Sequence, residues 1–203
     1  MSLPAPADCL ADSVIIDFRH PAVMALATSL RADDAQATAG HCFDWVRDRV
    51  EHCLDFRRDE VPVSASETLL AGTGFCYAKS HLLVALWRAN SLPAALGYQR
   101  LTLDGPNPPY CVHGFAAVWL VDHGWYRCDP RGNSKPGIDC EFTPGHEKLA
   151  YPVDYPGECT YPGLWPEPPA ELVSALRALP VASAFRKHPI DLVPQGLPMI
   201  TEL

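Results

Sequence analysis

The hydrophobic period of this chain switches once, near residue 90, and that switch leaves few architectures open. Up to Ala89 the apolar residues recur at every third and fourth position, as on one face of a helix. From Ala94 to Asp129 they fall in strand-like runs, and from about Lys135 onward proline and glycine break both patterns. Helices grouped ahead of strands specify an α+β fold, because βαβ units would interleave the two periods. Residues 1–203 show no fixed repeat and no linker, so a single domain is expected.

Local signals place the elements. Pro21 suits a first helical turn, and Val23, Met24, Leu26, Ala27 and Leu30 follow at helix spacing. Asp33 and Asp34 supply capping carboxylates for a second helix, whose apolar face runs from Ala39 through Cys42, Phe43, Val46 and Val50 to Cys53 and Leu54. Its polar residues, Asp44, Arg47, Asp48 and Glu51, are expected to face water, as are Arg57, Arg58, Asp59 and Glu60. Ser64-Ala65-Ser66-Glu67 has the form of a capping box and opens a short helix that Gly72 can close. A longer helix should run from Cys76 to Ala89, with Asn90 as its left-handed terminator. Strands are predicted over 94–101, 112–121 and 125–129, the last two joined by a hairpin at Asp122-His123-Gly124. One late helix is predicted over 169–179, and the Pro-containing tail is expected to drape over the body or stay loose. Trp45, Trp87 and Trp119 are expected in the core, and Tyr and Trp residues of 151–168 are expected to pack an irregular loop more than to wall a cleft.

Charge excludes some partners. Asp and Glu number 24 against 16 Lys and Arg, and no stretch gathers the basic footprint that a phosphate backbone demands. No apolar run reaches the roughly 18 residues that cross a bilayer. The first Arg is Arg19, so the amino end lacks the positive region of an export signal. The expectation is therefore a cytoplasmic protein without nucleic-acid or membrane partners, its eight cysteines kept as thiols.

The chemistry-bearing segment is Gly72-Thr73-Gly74-Phe75-Cys76. A thiol is a weak nucleophile until ionised, and a helix amino end sets unpaired N–H groups and the positive end of the dipole beside it. The same N–H groups can hold the oxyanion formed when a thiolate attacks a carbonyl. His113, at the start of a strand, is the leading candidate for the base that moves the proton, and Asp129, at the end of the next strand, for the carboxylate that orients the ring. A tight turn at His123 would set Asp129 across from Ala117, about 13 Å along the strand from His113, so a wider connection or a bulge is required.

These segments resemble the transglutaminase-like superfamily of the papain-like fold. The likeness spans about Ser66 to Asn133 and has three motifs in the family's order: the glycine run ending at Cys76 with its helix and Leu92-Pro93-Ala94; His113-Gly114-Phe115-Ala116-Ala117-Val118-Trp119-Leu120; and Gly124-Trp125-Tyr126-Arg127-Cys128-Asp129-Pro130. The resemblance implies a central Cys-bearing helix packed on a mainly antiparallel sheet, with core motifs at 66–133 and a Pro-rich extension at 135–203. It implies a nucleophile at Cys76, a base at His113 and an orienting carboxylate at Asp129. The expected activity is cleavage of a peptide, protein or small amide through a thioester, as a cysteine peptidase or amidase. A transglutaminase-type acyltransferase is the alternative, followed by a non-catalytic binding domain. No cofactor and no metal is implied. Gly114, Phe115, Ala95 and Arg131 depart from the family's usual residues, which bears on the cleft walls and substrate choice.

Other thiols and imidazoles carry weaker signals. His41-Cys42 and His52-Cys53 would share a helix face about 16 Å apart, a span favouring packing over metal binding. Cys111 and His113 with Cys128 and Cys140 suggest zinc, but no C-x-x-C pair accompanies them, so a metal is not expected. His81 is expected at a boundary of the core.

Overall fold

The computed structural model describes residues 3–192. Its helices are α1 (Pro21–Ser29), α2 (Ala35–Arg49), α3 (Ala65–Ala71), α4 (Cys76–Ala89) and α5 (Ala170–Ala178). Its strands are β1 (Glu51–His52), β2 (Thr73–Gly74), β3 (Ala94–Thr102), β4 (Tyr110–Leu120), β5 (Gly124–Cys128) and β6 (Cys159–Thr160). A four-stranded antiparallel sheet has the order β5-β4-β3-β6, and a separate parallel pair joins β1 to β2. The α+β expectation and the positions of the long elements agree with this arrangement.

The middle of the molecule is α4. Every residue from Cys76 to Arg88 is buried, with α1, α2 and α3 on one side and β3 and β4 on the other. Such a helix cannot be amphipathic, so its polar side chains need internal partners. Arg88 donates to the carbonyls of Ala11, Ala94 and Pro166, binding both ends of the chain to the centre. Lys79, 1% exposed, donates to the carbonyls of Arg47 and Val50. His81 is fully buried rather than at a boundary, with Nδ1 at 2.7 Å from the Val63 carbonyl.

Two predicted boundaries move for local reasons. Helix α2 stops at Arg49, short of Cys53, because Val50 turns extended and Glu51 N–H bonds the Gly72 carbonyl. Lys79 satisfies carbonyls that the helix end would otherwise leave open. His52 and Cys53 therefore lie off the helix that carries His41 and Cys42. At the end of α4, Asn90 keeps a negative φ, and Ser91 takes the left-handed position at φ 61°. Trp87 is core, Trp45 is half-buried against it, and Trp119 is half-buried and edge-on to Trp125. Arg47 is also less solvated than its position on the polar face predicts: it lies over Phe43 and donates to the Cys140 carbonyl.

Within the sheet, Gly97 of β3 faces Phe115 of β4, and the fully buried Phe115 ring occupies the space a Cβ would need. Gly97→Ala is expected to cost about 1–3 kcal/mol or more through overpacking. Urea unfolding checks this, and an unchanged midpoint would refute it. The chain after β6 and α5 returns to the sheet, where Ile190 accepts from Val112 N–H and Arg100 pairs with Asp191. The tail thus drapes over the body as far as Leu192; residues 193–203 lie outside the described residues.

Candidate active site

Helix α3 ends at Gly72, whose φ of 66° suits glycine, and the chain then runs through β2 into Phe75, the extended residue before α4. No side chain caps this amino end. Cys76 is thus the first helical residue, beside unpaired amides and the positive end of a 14-residue helix. The Gly114 N–H donates to Cys76 Sγ at 3.4 Å. A Cβ on Gly114 would stand 3.0 Å from Tyr77 Cδ1 and 3.4 Å from Tyr77 Cα, so the bare backbone is what lets β4 close on the first turn of α4.

The sheet brings the other two predicted residues to the sulfur. β4 and β5 are joined by Val121, Asp122 and His123, with Leu120 opposite Gly124 and Ala116 opposite Cys128. This connection is wider than the tight turn considered from sequence, and it sets Asp129 level with Phe115, about 7 Å along the strand from His113 and on the same face. The side chains span that offset: His113 Nε2 lies 2.6 Å from Asp129 Oδ2. The fully buried carboxylate also accepts the N–H groups of Arg131 and Ala150, both at 3.0 Å. Cys76 and His113 line the same cavity, and the sulfur acts electrostatically on the ring.

Electrostatics follow from this geometry. Burial alone would depress the His113 pKa, but the Asp129 carboxylate and the Cys76 sulfur outweigh it and raise the value to about 10. Burial pushes Asp129 up, and His113 with the two backbone donors brings it below the ordinary carboxylate value. The other seven thiols are all pushed upward, each chiefly by burial.

A cavity of about 460 Å³ opens onto Cys76 and His113, lined on its apolar side by Phe75, Leu101, Val112, Tyr151 and Phe185. Tyr151 meets the His113 ring edge-on, centroids 5.0 Å apart, and accepts a hydrogen bond from Arg131 Nε at 2.7 Å. Loop packing describes Trp165, which meets Tyr98 edge-on, but Tyr151 is a wall of the cleft. Arg131, 1% exposed, is held in turn by Asp55.

The sequence profile of the transglutaminase-like superfamily matches residues 24–130, more than half of the chain. The chain belongs to the transglutaminase-like superfamily. This superfamily is of cysteine peptidase and acyltransferase type. Among solved structures, the chain is similar to a candidate cysteine protease from Cytophaga hutchinsonii at 22% identity and a TM-score of 0.50, over 62% of this chain and 41% of that one. It is also similar to the periplasmic domain of TgpA from Pseudomonas aeruginosa at 20% identity and a TM-score of 0.45, over 63% of this chain and 48% of that one. The chain thus spans less than half the length of either structure, and the first likeness is one of fold. No curated protein sequence matches it.

Of the supporting residues, Asp55 carries no signal in the sequence, while His52 and Tyr151, expected only to pack, line the cleft; all three come from loops or a two-residue strand, and only tertiary contact reveals their place. Arg131 was visible as a departure from the family's usual residue, and its guanidinium bridges Asp55 and Tyr151. Cys111, His113 and Cys128 do not gather as a ligand set: among the described residues no three ligating side chains converge.

Proposed function

We propose that the protein is a thiol-nucleophile enzyme that cleaves amide bonds in a peptide, a protein or a small molecule, with Cys76 as nucleophile, His113 as acid and base, and Asp129 as orienting carboxylate. The observation that carries this reading is the 2.6 Å carboxylate–imidazole hydrogen bond beside a sulfur at the head of a buried helix. Sulfur attacks the acyl carbon, a C–S bond forms, and the carbonyl electron pair moves to oxygen, which the Cys76 N–H faces. The intermediate collapses by breaking the C–N bond, and the departing amine takes a proton from His113. His113 then removes a proton from water, the water oxygen attacks the thioester, and Cys76 leaves. Asp129 stabilises the charged ring throughout and fixes its tautomer. Water needs no second binding site, so hydrolysis asks less of the cavity than transfer to an amine does.

Iodoacetamide at neutral pH is expected to modify Cys76 ahead of the other seven cysteines, whose thiols burial disfavours from ionising. Peptide mapping after brief exposure reads the order of labelling. Labelling of Cys76 no faster than the rest would overturn the proposal.

A further inference from the structure

Among the described residues, five side chains bear a buried polar atom without a hydrogen-bond partner: His52, Ser80, His81, Tyr98 and Gln99. Of these only His52 lines the cavity that holds Cys76 and His113. Its position is fixed by the short parallel pair, in which His52 aligns with Gly74 and Cys53 N–H bonds the Gly74 carbonyl at 3.1 Å. The imidazole is thereby delivered beside the two residues that lead into Cys76, edge-on to Phe75 with centroids 6.3 Å apart. It is 8% exposed.

We infer that His52 is a substrate-contacting residue whose ring hydrogen-bonds the amide group held at Cys76. This rests on Cys76 being the nucleophile. The protein itself leaves the ring unused: Nδ1 stands 3.8 Å from Asp55 Oδ1, beyond hydrogen-bond distance, and Asp55 is already occupied by Arg131 and Ser134. A buried polar group without a partner is unfavourable unless something else fills that role, and a bound molecule in the cavity does. Burial, reinforced by the Arg131 cation, lowers the His52 pKa to about 3, so the ring is uncharged in neutral solution. An uncharged imidazole offers one N–H and one lone pair, which match the carbonyl and the N–H of an amide, and it supplies no charge for a carboxylate. The two histidines of the cavity are thus set apart, His113 toward the cation and His52 toward the neutral ring.

The experiment compares alkylation of Cys76 by iodoacetamide and by iodoacetate. In both, the sulfur–carbon bond forms as iodide departs, but only the first reagent carries an amide. His52→Phe is expected to slow iodoacetamide about fivefold to tenfold, with iodoacetate changing by less than about twofold. His52→Gln, which keeps an uncharged donor and acceptor at similar reach, keeps most of the iodoacetamide rate. In wild-type protein labelled with ¹⁵N, alkylation by iodoacetamide should move one His52 ring nitrogen to a hydrogen-bonded shift; which nitrogen moves tells whether the ring donates to the carbonyl or accepts from the N–H. Equal slowing of both reagents, or unchanged His52 nitrogens in the adduct, overturns the role of His52 while Cys76 remains the nucleophile. Failure of Cys76 to label first in wild type removes the nucleophile and His52's role with it.

Discussion

Asp129→Asn is expected to lower kcat on an amide substrate by roughly 10³- to 10⁴-fold with little change in fold, and Cys76→Ala to abolish turnover through the thioester. Asparagine fits the space of the carboxylate, but its one oxygen can accept from only one of the Arg131 and Ala150 N–H groups, which bond different oxygens of Asp129, and it brings no charge to His113. Without that charge, Cys76 alone is left to oppose burial and the His113 pKa should fall from about 10. NMR titration of the ring reads this directly: protonated through neutral pH in wild type, and losing its proton at lower pH in the variant. The same pair sets a pH window of stability. Because the folded pKa of His113 is raised, its contribution is complete below about pH 6.5, declines above that, and is gone as pH passes about 10. The Asp129 value is lowered, so its contribution is present above about pH 3.8 and lost as pH falls. Wild type should therefore lose stability toward alkaline pH more steeply than Asp129→Asn does. Parallel pH–stability curves would contradict the charged-pair description.

The second large effect is expected at Asp55. Its side chain is 5% exposed and that of Arg131 1% exposed, and the two are joined by paired contacts, with Ser134 and Lys135 on the same carboxylate. Burial pushes the Asp55 pKa up, but the bonds from Arg131 and Ser134 more than offset it. Asp55→Ala leaves a buried guanidinium uncompensated and should cost about 3–5 kcal/mol in urea unfolding. Adding Arg131→Leu should recover part of that loss, since an apolar pair of similar volume carries no such penalty. A loss below about 1 kcal/mol would mean that the pair behaves as a surface contact. Because Arg131 also holds Tyr151 against His113, the single variant should loosen the cleft wall, read as a change in KM greater than the change in kcat.

The transglutaminase-like core was legible where local chemistry and tertiary need coincide. The capping box at Ser64, the glycine stop at Gly72 and the helix starting at Cys76 are local signals, and the structure uses each as written. Apolar spacing, by contrast, carried α2 through Cys53, although a two-residue strand and the buried Lys79 end it at Arg49. His81 and Lys79 resisted reading because polar residues on a helix normally mark its wet face, and α4 has none. Cys76, His113 and Asp129 could be named from motifs, yet the His113–Asp129 contact could not, because it depends on how many residues join β4 to β5. The Asp55–Arg131–Tyr151 chain left no periodic trace, since its members lie in irregular segments far apart in sequence.

The β4–β5 connection leads to one more consequence. Val121, at its start, is 90% exposed, and the loop lies at the opposite end of β4 from His113, so its residue types should be interchangeable at little cost. Its residue count is another matter. Removing a single position would slip β5 by one step, turn Asp129 onto the reverse face of the sheet and disconnect it from the imidazole. A surface loop that touches nothing in the cleft therefore acts as a spacer of fixed size, tolerant of spelling and intolerant of deletion.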